Sequence, residues 1–225
     1  MEGIERMKLR IPPFFKKALN ALLSGLFPEG IKCWCCEREL RSGETDLCED
    51  CRKTIRYAAY HPVPAPLDGL TSAYRYDDLI SQPILRFKYN GHTYLADHLA
   101  KEIPPLADVR LDVLVPVPLH KKRLHERGYN QSELLCEALS KRWNIPVSTD
   151  LLHRDRNTPS QTKLDTNQRK ANVKKAFSAK PCKGLTIGLV DDVITSGSTL
   201  CACAAALKAA GAKEVYAITV ANAMH

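Results

Sequence analysis

The sequence predicts an α/β fold: an open, mostly parallel sheet covered on both faces by helices, preceded by a small cysteine-rich block. Three observations carry this. Short apolar runs alternate with helix-period segments from residue 70 onward; the runs "LTIGLVDD" and "EVYAITV" flank one Ala-rich helical stretch, as in a βαβ crossover; and five of the nine cysteines fall in residues 33–51, four of them as two Cys-x2-Cys pairs. With 225 residues, 44% of them hydrophobic, the chain can bury a real core. The boundaries read as an amphipathic N-terminal helix over 1–30, the cysteine block over 31–60 and the α/β domain over 61–225.

In the first segment, Phe15, Leu19, Leu22, Leu23 and Leu26 recur at helical spacing between Pro12/Pro13 and Pro28. Such a helix either packs on its own domain or docks on a membrane or partner. No apolar run reaches 18 residues and no secretion-type leader is visible, so the expected location is the cytosol, with no transmembrane segment.

Thiols stay reduced in the cytosol, so the cysteines are not read as disulfides. Cys33-x2-Cys36, eleven residues, then Cys48-x2-Cys51 gives two thiolate knuckles that close a tetrahedral sulfur shell around zinc. Four thiolates leave no open position, so the zinc is expected to be structural and to support a segment too small for its own core. Cys35 lies inside the first knuckle and could compete as a ligand, although the two-residue spacing favours Cys33 and Cys36. Cys136, Cys182, Cys201 and Cys203 lack metal spacing and read as small buried hydrophobes.

"HPVPAPLDGL" reads as a linker. After it come a strand in "LTSAYRY", helices in "DDLISQPILRFKY" and "TYLADHLAKEI", a strand in "LDVLVPV" and a helix in "NQSELLCEALSKRW". Residues 153–175 are strongly basic and have no long apolar face, which predicts a long functional loop carrying Arg154 and Arg156 and entering a short helix.

The strand "LTIGLV" ends in Asp191-Asp192, and the turn Thr195-Ser196-Gly197-Ser198-Thr199 then opens a helix. Ligands of open α/β sheets bind at the carboxyl ends of strands, and a helix N-terminus after a small hydroxyl-rich turn offers unpaired N–H groups to an anion. No Lys stands where a nucleoside-triphosphate loop requires one. Two carboxylates beside a monophosphate cradle suit a sugar phosphate: the acids accept hydrogen bonds from ribose hydroxyls while the turn holds the 5′-phosphate. The formal charge of +8 fits an anionic partner, whether nucleic acid, membrane surface or phosphorylated small molecule.

"GLVDDVITSGST" resembles the phosphoribosyl-diphosphate (PRPP) signature of type I phosphoribosyltransferases. Together with the four-cysteine block, "VPVPLHKKRLHERGYNQSELL" and "RDRNTPSQTKLDTNQRKANVKKAF", nearly the whole chain resembles the ComF family, which includes the GntX-type proteins. The resemblance implies a phosphoribosyltransferase fold fused to a zinc ribbon, with a link to natural competence, DNA uptake and use of external DNA. It implies Asp191 and Asp192 on the ribose, with magnesium held mostly by substrate oxygens and water, and Thr195, Ser196, Gly197, Ser198 and Thr199 on the 5′-phosphate. It further implies Lys121, Arg123 and Arg127 near the diphosphate, with Asn130 and Gln131 hydrogen-bonding substrate. A lid carrying Thr158, Gln161, Arg169 and Asn172 would close over PRPP, with Arg169 joining the two acids in catalysis.

No general base for an acceptor stands out. "LRFKYNGHTYLADHLA" is expected to shape the acceptor side through Lys88 and Gly91. The scattered histidines His92, His98, His120, His125 and His153 fit no metal pattern. Two functions compete: an enzyme that transfers phosphoribose from PRPP with release of pyrophosphate, and a non-catalytic accessory protein that uses the fold as PRPP sensor or scaffold while binding single-stranded DNA or a DNA-uptake helicase.

Overall fold

The structure is a computed structural model that describes residues 32–155 and 176–224. The expected helix over 1–30 and the lid residues Arg156, Thr158, Gln161, Arg169 and Asn172 lie outside the described residues. The elements run α1 (Glu49–Thr54), β1 (Gly69–Arg75), α2 (Asp78–Tyr89), α3 (Leu95–Lys101), β2 (Val113–Pro116), α4 (Lys121–Arg127), α5 (Gln131–Trp143), β3 (Leu152–Arg154), β4 (Phe177–Ala179), β5 (Thr186–Ile194), α6 (Ser198–Ala209) and β6 (Glu214–Asn222).

Four strands form a parallel sheet in the order β1-β6-β5-β2, with β5 and β6 at its centre. The burial pattern of β5 is continuous through Val190, as expected of a strand covered on both faces. On one face Ile80, Ile84 and Phe87 of α2, Leu95 and Leu99 of α3, and Leu135 and Leu139 of α5 form a core. On the other, Leu200, Cys203 and Leu207 of α6 meet Ile187, Leu189 and Val215 of the sheet. Gly188 sits where a Cβ would come within 2.8 Å of both Ile218 Cδ1 and Leu114 Cδ2. Overpacking there should make Gly188→Val less stable by about 1–3 kcal/mol, measured as a denaturant midpoint shift at constant m.

The cysteine block shares the first core: Cys33, Trp34 and Cys35 are buried with Ile80, Ile84 and Leu99. The stretch read as a linker is packed rather than free. Val63 and Leu67 join the second core, and Asp68 Oδ2 accepts from Val215 N at 2.7 Å and pairs with Lys208 Nζ at 2.7 Å. Lys121, Arg123 and Arg127 lie on the helix α4, capped by His120 Nδ1, which accepts from Lys122 N, and by the left-handed Gly128. One expectation for the middle of the chain is corrected. Arg154 lies on β3, which pairs antiparallel with β4. Neither was visible to periodicity, because α4 buries no residue and each of these strands has three residues.

Candidate sugar-phosphate site and four-cysteine centre

The four-cysteine centre forms because Cys48 ends a loop and caps α1, its sulfur accepting from Cys51 N at 3.4 Å, so that one helical turn brings Cys51 beside it. The first knuckle turns through Glu37 at φ 62°, with Glu37 N donating to Cys33 O at 2.8 Å. The sulfurs of Cys33, Cys36, Cys48 and Cys51 all lie within 4.8 Å of one another. Sulfurs held about 2.3 Å from a tetrahedral zinc are about 3.8 Å apart, and Cys36 and Cys48 stand 3.7 Å apart. The donor set therefore fits a closed, structural metal site. Cys35 is outside it: its thiol, pushed up to about 12 chiefly by burial, points to Leu79 O on α2.

Asp191 and Asp192 lie near the carboxyl end of β5, three and two residues before its last, Ile194, and face different neighbours. Asp191 Oδ1 accepts from Ser132 Oγ at 3.1 Å and from Asp192 N at 2.9 Å. Ser132 is fully buried in the first turn of α5 and was not singled out from sequence. Asp192 is 3% exposed; its Oδ1 meets Lys88 Nζ at 2.9 Å, while Oδ2 is buried without a partner. Lys88 thus turns toward the acid pair, where the sequence suggested an acceptor contact; Gly91 is exposed, at φ 74°.

Burial, followed by the neighbouring Asp192 charge, raises the Asp191 pKa to about 7 against the opposing pull of Lys88. The folded protein therefore holds a proton on Asp191 that the unfolded chain releases near pH 4. The stability linked to this proton is complete below that pH and is lost as pH rises to about 7. Wild type should lose stability between pH 5 and pH 8 relative to Asp191→Asn, as compared by urea midpoints.

Beyond β5 the turn residues surround the start of α6. Gly197 takes φ 70°, a left-handed conformation that favours glycine, and a Cβ on it would crowd Pro64 Cγ at 3.1 Å. Ser196 Oγ and Ser198 Oγ are 2.8 Å apart, Thr195 and Ser196 are exposed, and Ser198 and Thr199 are half-buried. Two of the basic side chains converge from separate elements. Arg154 lies over the Phe177 ring at 5.3 Å, and its pKa is lowered by burial and then by the nearby Arg123 charge, against the pull of Asp191. Arg127 lies 5.0 Å over the Tyr89 ring and donates to Gln131 Oε1, while Lys121 is exposed. Asn130 has internal duties: Oδ1 caps α5 by accepting from Ser132 N, and Nδ2 donates to Val117 O and Glu133 Oε1.

An acid pair near the carboxyl end of a central parallel strand, followed by a hydroxyl-rich turn with a left-handed glycine, is the arrangement of the phosphoribosyltransferase class, and a family model described as "Phosphoribosyl transferase domain" matches residues 130–225. The chain belongs to the ComF family of competence proteins. It is 30% identical over 213 residues to "DNA utilization protein YhgH" of Salmonella typhimurium, covering 81% of this chain and 93% of that protein. It is 29% identical over 223 residues to "Competence protein F" of Haemophilus influenzae, covering 92% of each. With "Competence protein ComFC" of Bacillus subtilis it shares 32% identity over 133 residues, 57% of this chain and 53% of that one. Among the described residues no helix is long and apolar enough to cross a membrane.

Proposed function

We propose that this protein binds PRPP with magnesium and transfers its phosphoribosyl group to an acceptor, within the DNA utilization and competence that its relatives' names state. The observation that carries the reading is the buried Asp192 Oδ2, left without a partner beside the anion turn. A buried carboxylate oxygen without a donor costs free energy, and a ribose hydroxyl placed there removes that cost. Lys88 fixes the other oxygen, so the carboxylate presents one acceptor in one direction. Asp191, with Oδ1 engaged by Ser132 and Asp192 N, supplies the second acceptor. Together with substrate oxygens and water, the pair also suits magnesium, which takes one or two protein carboxylates.

Thr195 to Thr199 hold the 5′-phosphate in this reading, through backbone N–H groups and hydroxyls at the start of α6. The Arg123–Arg154 side receives the diphosphate, and Arg169, with Thr158, Gln161 and Asn172, supplies the lid. A lone pair on the acceptor forms a bond to ribose C1 as the C1–O bond to diphosphate breaks; that electron pair leaves with the diphosphate, and the acceptor's proton passes to water. Positive charge on C1 and negative charge on the leaving group develop together, which is why fixed acids and guanidiniums on opposite sides lower the barrier.

Calorimetric titration of the metal-loaded protein with PRPP and magnesium tests this. Wild type should bind, and Asp191→Asn/Asp192→Asn should bind at least about 100-fold more weakly, a loss of about 2.7 kcal/mol. Equal binding by both proteins would sink the assignment.

A further inference from the structure

A cavity of about 380 Å³ opens at the carboxyl ends of β1 and β6, walled by Arg56, Tyr57, His61, Arg75, Tyr76 and Asn222. It exists because the chain leaving the four-cysteine block runs antiparallel along β1. Tyr57 pairs with Tyr74, Arg75 N donates to Arg56 O at 2.8 Å, and Ala58 N donates to Ala73 O at 3.0 Å. That register sets Arg56 directly opposite Arg75. Side chains opposite each other across an antiparallel pair lie on the same face, with Cβ atoms about 5 Å apart, where like charges repel. Among the described residues neither guanidinium has a carboxylate or side-chain hydrogen-bond partner. Two unpaired cations at the mouth of a cavity form a receptor for an anion, and guanidinium forks match the flat, two-oxygen geometry of a carboxylate.

The sheet also fixes where this cavity stands relative to the acid pair. Arg75 is in register with Asn222, and Asn222 with Ile194, two residues beyond Asp192. At about 4.8 Å between strands and 3.3 Å per residue, Arg75 lies roughly 12 Å from Asp192, Cα to Cα. A sugar and one aromatic ring span such a distance. The cavity lies on the β6–β1 side of β5, whereas Arg123 follows β2 on the other side. Displacement at C1 requires the acceptor to enter opposite the departing diphosphate, and the two sides of β5 provide those two positions.

We infer that this cavity is the acceptor site and that the acceptor is a planar anion, an aromatic ring bearing a carboxylate held by Arg56 and Arg75. The inference rests on the sugar-phosphate reading for its place in a reaction, and on the arginine pair alone for its ligand class. The test uses matched rings that differ in charge: orotate against uracil, and nicotinate against nicotinamide. Each is titrated into the full-length, metal-loaded protein with and without PRPP and magnesium.

At least one carboxylate should bind about tenfold or more tighter than its neutral partner. Arg56→Gln and Arg75→Gln, both at exposed positions, should each erase that preference while PRPP affinity stays within about twofold. Neutral rings binding equally well, no carboxylate binding in either condition, or arginine variants that leave the preference intact would each overturn the inference. A thymidine 20-mer that binds through the same arginines, with no ring carboxylate binding, would also overturn it and make the surface a contact for single-stranded DNA. Failure of PRPP to bind wild type would instead remove the sugar-phosphate reading, and the titrations without PRPP would still decide the ligand class.

Discussion

Lys88→Met is expected to destabilise the protein by about 3–5 kcal/mol, the cost of leaving a buried charge without its partner. Asp192 is 3% exposed, and Lys88 Nζ at 2.9 Å is its one side-chain partner among the described residues. Burial works against the Lys88 charge, but the Asp192 carboxylate outweighs it, so the ammonium is held above its ordinary pKa. With the ammonium gone, Asp192 must take up a proton or draw in water, and both routes penalise the native state. Lys88→Met/Asp192→Asn should recover most of the loss, since a neutral pair of similar volume leaves no unpaired charge. Denaturant midpoints of the two single variants and the double variant, run as a cycle, measure the coupling. A Lys88→Met loss below about 0.5 kcal/mol, the usual scale for exposed positions, would show that water already screens the pair.

This pair marks the limit of what the sequence could reveal. The acid pair, the hydroxyl-rich turn after it and the cysteine quartet were legible as local patterns because each is a short run whose spacing alone fixes its geometry. The parallel strands were legible because β5 and β6 are apolar runs flanked by turn residues. Lys88 and Ser132 reach the acids only through the stacking of α2 and α5 on the sheet, and nothing in their immediate neighbours announces it. Periodicity also could not find α4, which has no buried face, or the β3–β4 pair, three-residue strands whose partners are far apart in sequence. Proline content suggested a linker at residues 61–70, but proline reports backbone stiffness, and Val63 and Leu67 were free to pack.

Stripping the metal should lower Tm by about 10 °C or more, a few kcal/mol in a domain of this size, and should weaken PRPP binding although, among the described residues, no hydrogen bond joins Cys33, Cys36, Cys48 or Cys51 to the acid pair. The route runs through α2. Arg86 Nη2 donates to Trp34 O and to Cys35 O, both at 2.7 Å, and these carbonyls lie between the ligands Cys33 and Cys36. Trp34 packs 6.1 Å from the Tyr74 ring on β1 and 6.3 Å from His98 on α3. Two residues beyond Arg86 on the same helix, Lys88 meets Asp192. A knuckle that opens on chelation releases both carbonyls, α2 loses this polar tie, and the Asp192 carboxylate loses its fixed partner. Arg86→Gln separates this route from simple unfolding: with full metal content, it should still weaken PRPP binding by about tenfold, or 1.4 kcal/mol. If Arg86→Gln binds PRPP like wild type while the metal-free protein does not, the four-cysteine centre acts only on global stability. If both lose affinity together, the cysteine block is part of the machinery that orients Asp192.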